Sequence, residues 1–124
     1  MFKGFVLSES LQDPTLLNTF EKIYVKVELH SESDEYPPFW HLFKIRVGDE
    51  EIKKVSDQFA NSIKPKWYAH FWNDKTVYVV FSNKIFQIPM EEEWSSKEFQ
   101  ETKEYALSVG IAERYLDFKI EDRD

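Results

Sequence analysis

WYAHFWND, residues 67–74, sets four aromatic rings, a histidine, an amide and a carboxylate in eight consecutive positions. Read as a strand, it directs Trp67, Ala69 and Phe71 to one side and Tyr68, His70 and Trp72 to the other, because successive strand side chains alternate. A half-exposed antiparallel strand alternates apolar with polar residues, and this one is apolar on both sides. The following segment behaves alike, with Val77, Val79 and Phe81 opposed to Tyr78 and Val80. A sheet centred on these segments needs two covers. Helices suit one face; the second helix, the C-terminal tail, another subunit or a small apolar ligand must meet the other.

Working outward, Asn73-Asp74-Lys75 and Ser82-Asn83-Lys84 read as tight turns between strands at Trp67–Asn73, Thr76–Phe81 and Ile85–Ile88, an antiparallel meander. Upstream, Ile52, Val55, Phe59 and Ile63 recur at helical spacing, with Glu50 and Glu51 where the helix dipole favours acids. Phe59 is the expected anchor of that helix, and Pro65 ends it. Phe39 to Val47 reads as a strand with Phe39, His41, Phe43, Ile45 and Val47 on one face and Trp40, Leu42, Lys44 and Arg46 on the other. Ile23, Val25, Val27 and Leu29 alternate with Tyr24, Lys26, Glu28 and His30 in the cleanest period-two pattern of the chain. Phe2 to Ser8 is a first strand, and Asp13 before Pro14 starts a short helix. Downstream, Ser95 or Ser96 caps a helix carrying Phe99, Thr102, Ala106 and Val109, which Gly110 ends. The tail keeps Ile111, Tyr115, Leu116, Phe118 and Ile120, so it is expected to dock before fraying at its charged end.

These segments predict an α+β fold with one mixed, mostly antiparallel sheet of about six strands and two main helices, in a single domain spanning residues 1–124. Up to Trp67 the order matches the βαββαβ sequence of a ferredoxin-like unit, here extended by the meander. A helix at 50–63 joining two strands of one sheet makes those strands parallel.

The composition narrows function mostly by exclusion. The 124 residues carry a net charge of −7 and no cysteine. Disulfides, thiolate metal sites and cysteine nucleophiles are thereby excluded, and a reducing, cytoplasmic setting is expected. No apolar run has membrane-spanning length, and the start lacks signal-peptide features. Nucleic-acid binding is disfavoured, because lysines are scattered among acids and only the short run at Lys64 to Lys66 is locally basic.

Two function classes remain. Four tryptophans, six tyrosines and eleven phenylalanines make up 17% of the chain. Such rings fill cores, but tryptophan and tyrosine also suit binding faces, since each joins an apolar body to a polar handle. Trp40, Trp67, Tyr68 and Trp72 are the candidate binding residues of an interaction module, with a homo-oligomer, a protein partner or a small-molecule ligand on the aromatic face. The alternative is a small enzyme in which His41 or His70 works with Asp74 as an acid–base pair. The plainer reading of each histidine is a hydrogen-bonded core or semi-exposed residue, and His30, beside an acidic loop, is expected at the surface. Neither a zinc-type His motif nor a calcium loop is present, so no metal ligand set is assigned. A zinc site would need the histidine pair and Asp74 to converge. The acids of the loop (Glu32, Asp34, Glu35) and the run Glu91 to Glu93 read as solvated. Glycine-rich phosphate loops and GxSxG elbows are absent, and no cofactor is named.

Overall fold

A computed structural model describes residues 1–30, 37–90 and 95–122. The acidic loop around Glu32 and the Glu91 to Glu93 run, with Trp94, lie outside the described residues. Six strands form one sheet: β1 (Phe2–Leu7), β2 (Glu21–Leu29), β3 (Phe39–Val47), β4 (Tyr68–Trp72), β5 (Thr76–Phe81) and β6 (Lys84–Pro89), in the order β2-β3-β1-β4-β5-β6. Two helices complete the α+β architecture, α1 (Ile52–Ser62) and α2 (Lys97–Ser108).

Every neighbouring pair of strands is antiparallel, which corrects the expectation of a mixed sheet. The crossover through α1 does make β3 and β4 parallel, but β1 lies between them and pairs antiparallel with both. The first connection contains no α-helix. It consists of 3₁₀ turns at Ser8–Ser10 and Pro14–Thr19, so one helix of the ferredoxin-like motif is missing. Six residues between Pro14 and the next strand leave no room for more than a turn or two. Asp13 caps the second turn as its position before Pro14 predicts, its carboxylate accepting the Thr15 N–H at 3.1 Å.

WYAHFWND supplies β4, a central strand, and both of its faces are covered. Ala69 and Phe71 are buried against α1, where Ile52, Val55 and Phe59, with Ile63 just past the helix end, form the apolar stripe expected from their spacing, joined by Ala60. On the reverse face His70 and Trp72 are buried, and the cover comes from α2 and the tail through Ala106, Ile111, Leu116 and Phe118. The two helices therefore sit on opposite faces, each on one of the two apolar sides that the alternation imposes. Ser96 is the cap of α2, its hydroxyl accepting the Phe99 N–H at 3.0 Å, and Gly110 (φ 93°) turns the chain out of the helix.

Gly4 explains how β1 fits between two crowded neighbours. A Cβ there would stand 2.2 Å from the Phe71 ring and 3.0 Å from the His70 carbonyl, so the Phe71 ring fills the place of a side chain.

The edge strand β2 departs from expectation. Its regular alternation predicts one buried face, yet Val25, Val27 and Leu29 are exposed. The core under α1 draws on β1, β3, β4 and β5 and takes no buried residue from β2. No described helix is long and apolar enough to cross a membrane.

Candidate aromatic cavity

The reverse face of the sheet and the tail enclose a cavity of about 260 Å³ between them. Strand alternation positions its floor. Tyr24 of β2, Trp40 and Leu42 of β3, Phe5 of β1, and Tyr68 and His70 of β4 all point to this side, in the lateral order of their strands. The tail builds the opposite wall with Tyr115, Asp117 and Lys119.

Trp40 meets rings from three other segments. His30 stacks on it with centroids 3.7 Å apart and planes 20° apart, while Trp67 and Tyr115 approach at 5.3 and 5.5 Å. The indole Nε1–H donates to the Pro37 carbonyl at 2.9 Å, so the polar handle is satisfied and the ring plane is held. His30 thus belongs to the site, against its expected place as a plain surface residue. Its Nε2 lies 3.3 Å from Glu28 Oε1. Charges of both signs ring the mouth, including Lys26, Lys66 and Arg114 beside Glu28 and Asp117. Arg114 lies over the Tyr115 ring at 4.7 Å.

Next to the floor, Lys44 is fully buried. Its ammonium lies 3.1 Å from Glu121 Oε1, to which the Tyr24 hydroxyl also donates at 3.0 Å. The rings of Phe5, Tyr24 and Trp72 stand 5.7, 5.6 and 6.0 Å from Nζ. A buried ammonium needs a carboxylate and polarisable neighbours to offset its lost hydration. Both are supplied, and the pair ties the tail to β3.

Of the four predicted binding residues, Trp40, Trp67 and Tyr68 line this cavity. Trp72 does not. It is buried against Phe5 and His70, and its Nε1–H donates to Asp122 Oδ1 at 3.2 Å, beside a separate shallow cleft.

The acid–base candidates do not converge. His41 and His70 fall on opposite faces: Lys44, two residues beyond Leu42, pairs with Phe5 and shares its side with His70, whereas His41 has the other parity. His41 is half exposed at the end of the sheet, although its neighbours in sequence suggested an apolar surrounding. Its Nδ1 and its backbone N–H each lie 2.6 Å from a Glu9 carboxylate oxygen. Burial pushes the Glu9 carboxyl upward, but these hydrogen bonds from His41 outweigh it and hold the group below its ordinary value. Asp74 lies in the β4–β5 hairpin, four residues beyond His70, or about 13 Å along an extended chain. The acid near His70 is Asp117 of the tail, whose charge acts on both His70 and Tyr68. No cluster of three metal-ligating side chains occurs among the described residues.

Burial pushes the Tyr68 hydroxyl well up, aided by the charge of Asp117, and the hydroxyl donates to the Tyr115 carbonyl. His70 is driven down to about 4 from its usual 6.5, mainly by burial, against the opposing pull of its Lys119 contact and of Asp117. Its Nε2 lies 2.7 Å from the Lys119 carbonyl oxygen, which makes Nε2 the protonated nitrogen of a neutral ring. Stability must then depend on pH. In the unfolded chain the ring takes a proton below about pH 6.5 and in the folded chain only below about 4, so the folded state loses about 3 kcal/mol between those values. Denaturant melts across that window should show a steeper decline for the native protein than for His70→Gln. Parallel slopes would show that the ring titrates freely.

Lys44, Glu121 and Asp117 were not singled out from the sequence, and Tyr115 was named only as part of a docking tail. Lys44 carried a faint signal, as a lysine inside the row Trp40, Leu42, Lys44 that faces an apolar strand. In the tail a signal was present but unused: Tyr115, Asp117, Lys119 and Glu121, which all line the cavity, alternate with Leu116, Phe118 and Ile120 in a period of two.

Comparison of the chain with protein-family models, with curated proteins and with solved structures finds no match.

Proposed function

We propose that the chain is a binding module whose aromatic cavity takes a small ligand with a flat apolar body and polar ends. One observation carries this reading: Trp40, Trp67 and Tyr68 line one concavity with charged residues at its mouth. Ligand sites are typically concave and apolar, with a few polar groups fixing orientation, and a volume of 260 Å³ lies just below their usual range of about 300–1,000 Å³, which suits a small ligand. The cysteine-free composition supports a cytoplasmic setting.

The probe for this reading is 8-anilinonaphthalene-1-sulfonate, a fused aromatic with an anionic end. Its fluorescence should rise on binding the native protein. Trp40→Ala should weaken the dye by about threefold to tenfold, the worth of one aromatic pair. Leu107→Ala, an exposed position on α2, should leave it unchanged. Dye binding that is indifferent to both Trp40→Ala and Trp67→Ala would sink the proposal.

An acid–base enzyme has one observation in its favour, the meeting of His70 and Asp117 at the cavity. A ring with a pKa of about 4 is a weak base, however, and Nε2 is already committed to Lys119. Binding is the better-supported reading.

A further inference from the structure

The exposed row on β2 coincides with an open ladder of backbone groups. The His30 N–H donates to the Pro38 carbonyl at 2.6 Å. In an antiparallel ladder alternate residues exchange bonds with a given neighbour, so residues 24, 26, 28 and 30 turn their N–H and C=O groups toward β3. Val25, Val27 and Leu29 turn theirs outward. The phase agrees from the far side of β3, where the His41 N–H points away from β2 and meets Glu9. Among the described residues no strand lies beyond β2.

The same three residues hold apolar side chains in water: Val25, Val27 and Leu29 are 47%, 59% and 66% exposed, and Phe39, opposite Leu29, is 54% exposed. Proteins blunt such edges with proline, bulges or inward charges. The bulge of β2 lies at its start, between Lys22 and Tyr24, and leaves 25–29 regular. On the other face of this regular stretch stand Lys26 and Glu28, a cation and an anion one strand period apart, with Nζ and Oε2 at 3.5 Å.

We propose that β2 pairs antiparallel with β2 of a second copy of this chain, about a two-fold axis at Val27. That register sets Val25 against Leu29 of the second copy and Val27 against its own counterpart, so all three outward residues bond and the apolar row doubles in width. It also sets Lys26 against Glu28 of the second copy, twice over by symmetry. An axis at Lys26 would place that lysine against itself, and an axis at Glu28 would do the same with the carboxylate. An axis at Val25 would run the pairing into the bulge. Of these four registers only the one centred on Val27 makes the regular stretch charge-complementary to itself, which is why the occupant is a second copy. The axis stands perpendicular to the sheet, so the two aromatic cavities open on the same side of one continuous sheet.

Sedimentation across a micromolar to near-millimolar concentration series tests this. The native chain should reach twice the mass of one chain. Val27→Lys and Lys26→Glu should each weaken the dimer by about tenfold or more, and the double exchange Lys26→Glu with Glu28→Lys should recover most of the loss. These positions are exposed or rim residues, and circular dichroism checks that each variant is folded. In a chain without cysteine, Val27→Cys should give a disulfide-linked dimer under mild oxidation, since hydrogen-bonded pairs put Cα atoms about 5.5 Å apart, within disulfide reach. A native chain that stays monomeric throughout overturns the proposal and leaves the edge to a foreign strand or to none. A dimer that ignores Val27→Lys, or that the double exchange fails to restore, overturns it as well.

Discussion

Phe59→Ala is expected to lower the unfolding free energy by about 3–5 kcal/mol, a large share of the margin of a domain this size. Phe59 is fully buried on α1 and meets Phe20 and Phe71 at ring centroid distances of 5.5 and 5.4 Å. Truncation removes both ring contacts and leaves a hole between the helix and β4, which a packed interior does not close cheaply. Urea melts provide the measurement. A loss below about 1 kcal/mol would mean that α1 does not seat on this face of the sheet.

Phe118→Ala should be as damaging, with a second consequence. Phe118 is fully buried although it belongs to no helix or strand, and its backbone takes φ 43°, a region that costs a bulky residue free energy. Its ring meets Tyr68, His70 and Phe99 at 5.3, 6.3 and 6.0 Å. The burial of the ring outweighs the backbone strain, so the residue acts as the peg that holds the tail on the sheet. We expect a loss of about 3–5 kcal/mol. Because the tail is also a wall of the cavity, dye binding should weaken in the same variant at temperatures where it remains folded. Equal loss of stability with unchanged dye affinity would separate the tail from the site.

These two phenylalanines mark how far the sequence could be read. Phe59 was legible because Ile52, Val55 and Ile63 repeat its helical phase, and periodicity reports burial wherever an element is regular. The same logic found β4 to β6 and the two-sided burial of WYAHFWND, while residue type placed the Asp13 cap and narrowed the other to Ser95 or Ser96. Phe118 was only one apolar residue in a docking tail. Strand order was also hidden, because alternation states which side a residue faces and not which strand lies beside it. The placement of β1 between β3 and β4 removes the parallel contact and sets Phe5 between Lys44 and His70. That same order gathers Tyr24, Trp40 and Tyr68 from three strands onto one floor, so the cavity could not be assembled from spacing alone. His41 shows a different limit. Flanked by Phe39 and Phe43, it stood open between a core and a semi-exposed reading, and it lies where the sheet outruns its cover and Phe39 itself is exposed.

Heteronuclear NMR of the tryptophan indole N–H groups puts the central claim, that the aromatic cavity is a ligand site, to its most direct test. The chain has four tryptophans, and single Trp→Phe variants assign their cross-peaks. As 8-anilinonaphthalene-1-sulfonate is added, the Trp40 and Trp67 peaks should move together and saturate at one concentration, while Trp72, buried and bonded to Asp122, stays in place. Saturation of the dye with Trp40 and Trp67 unmoved, or with Trp72 shifting most, would contradict the account.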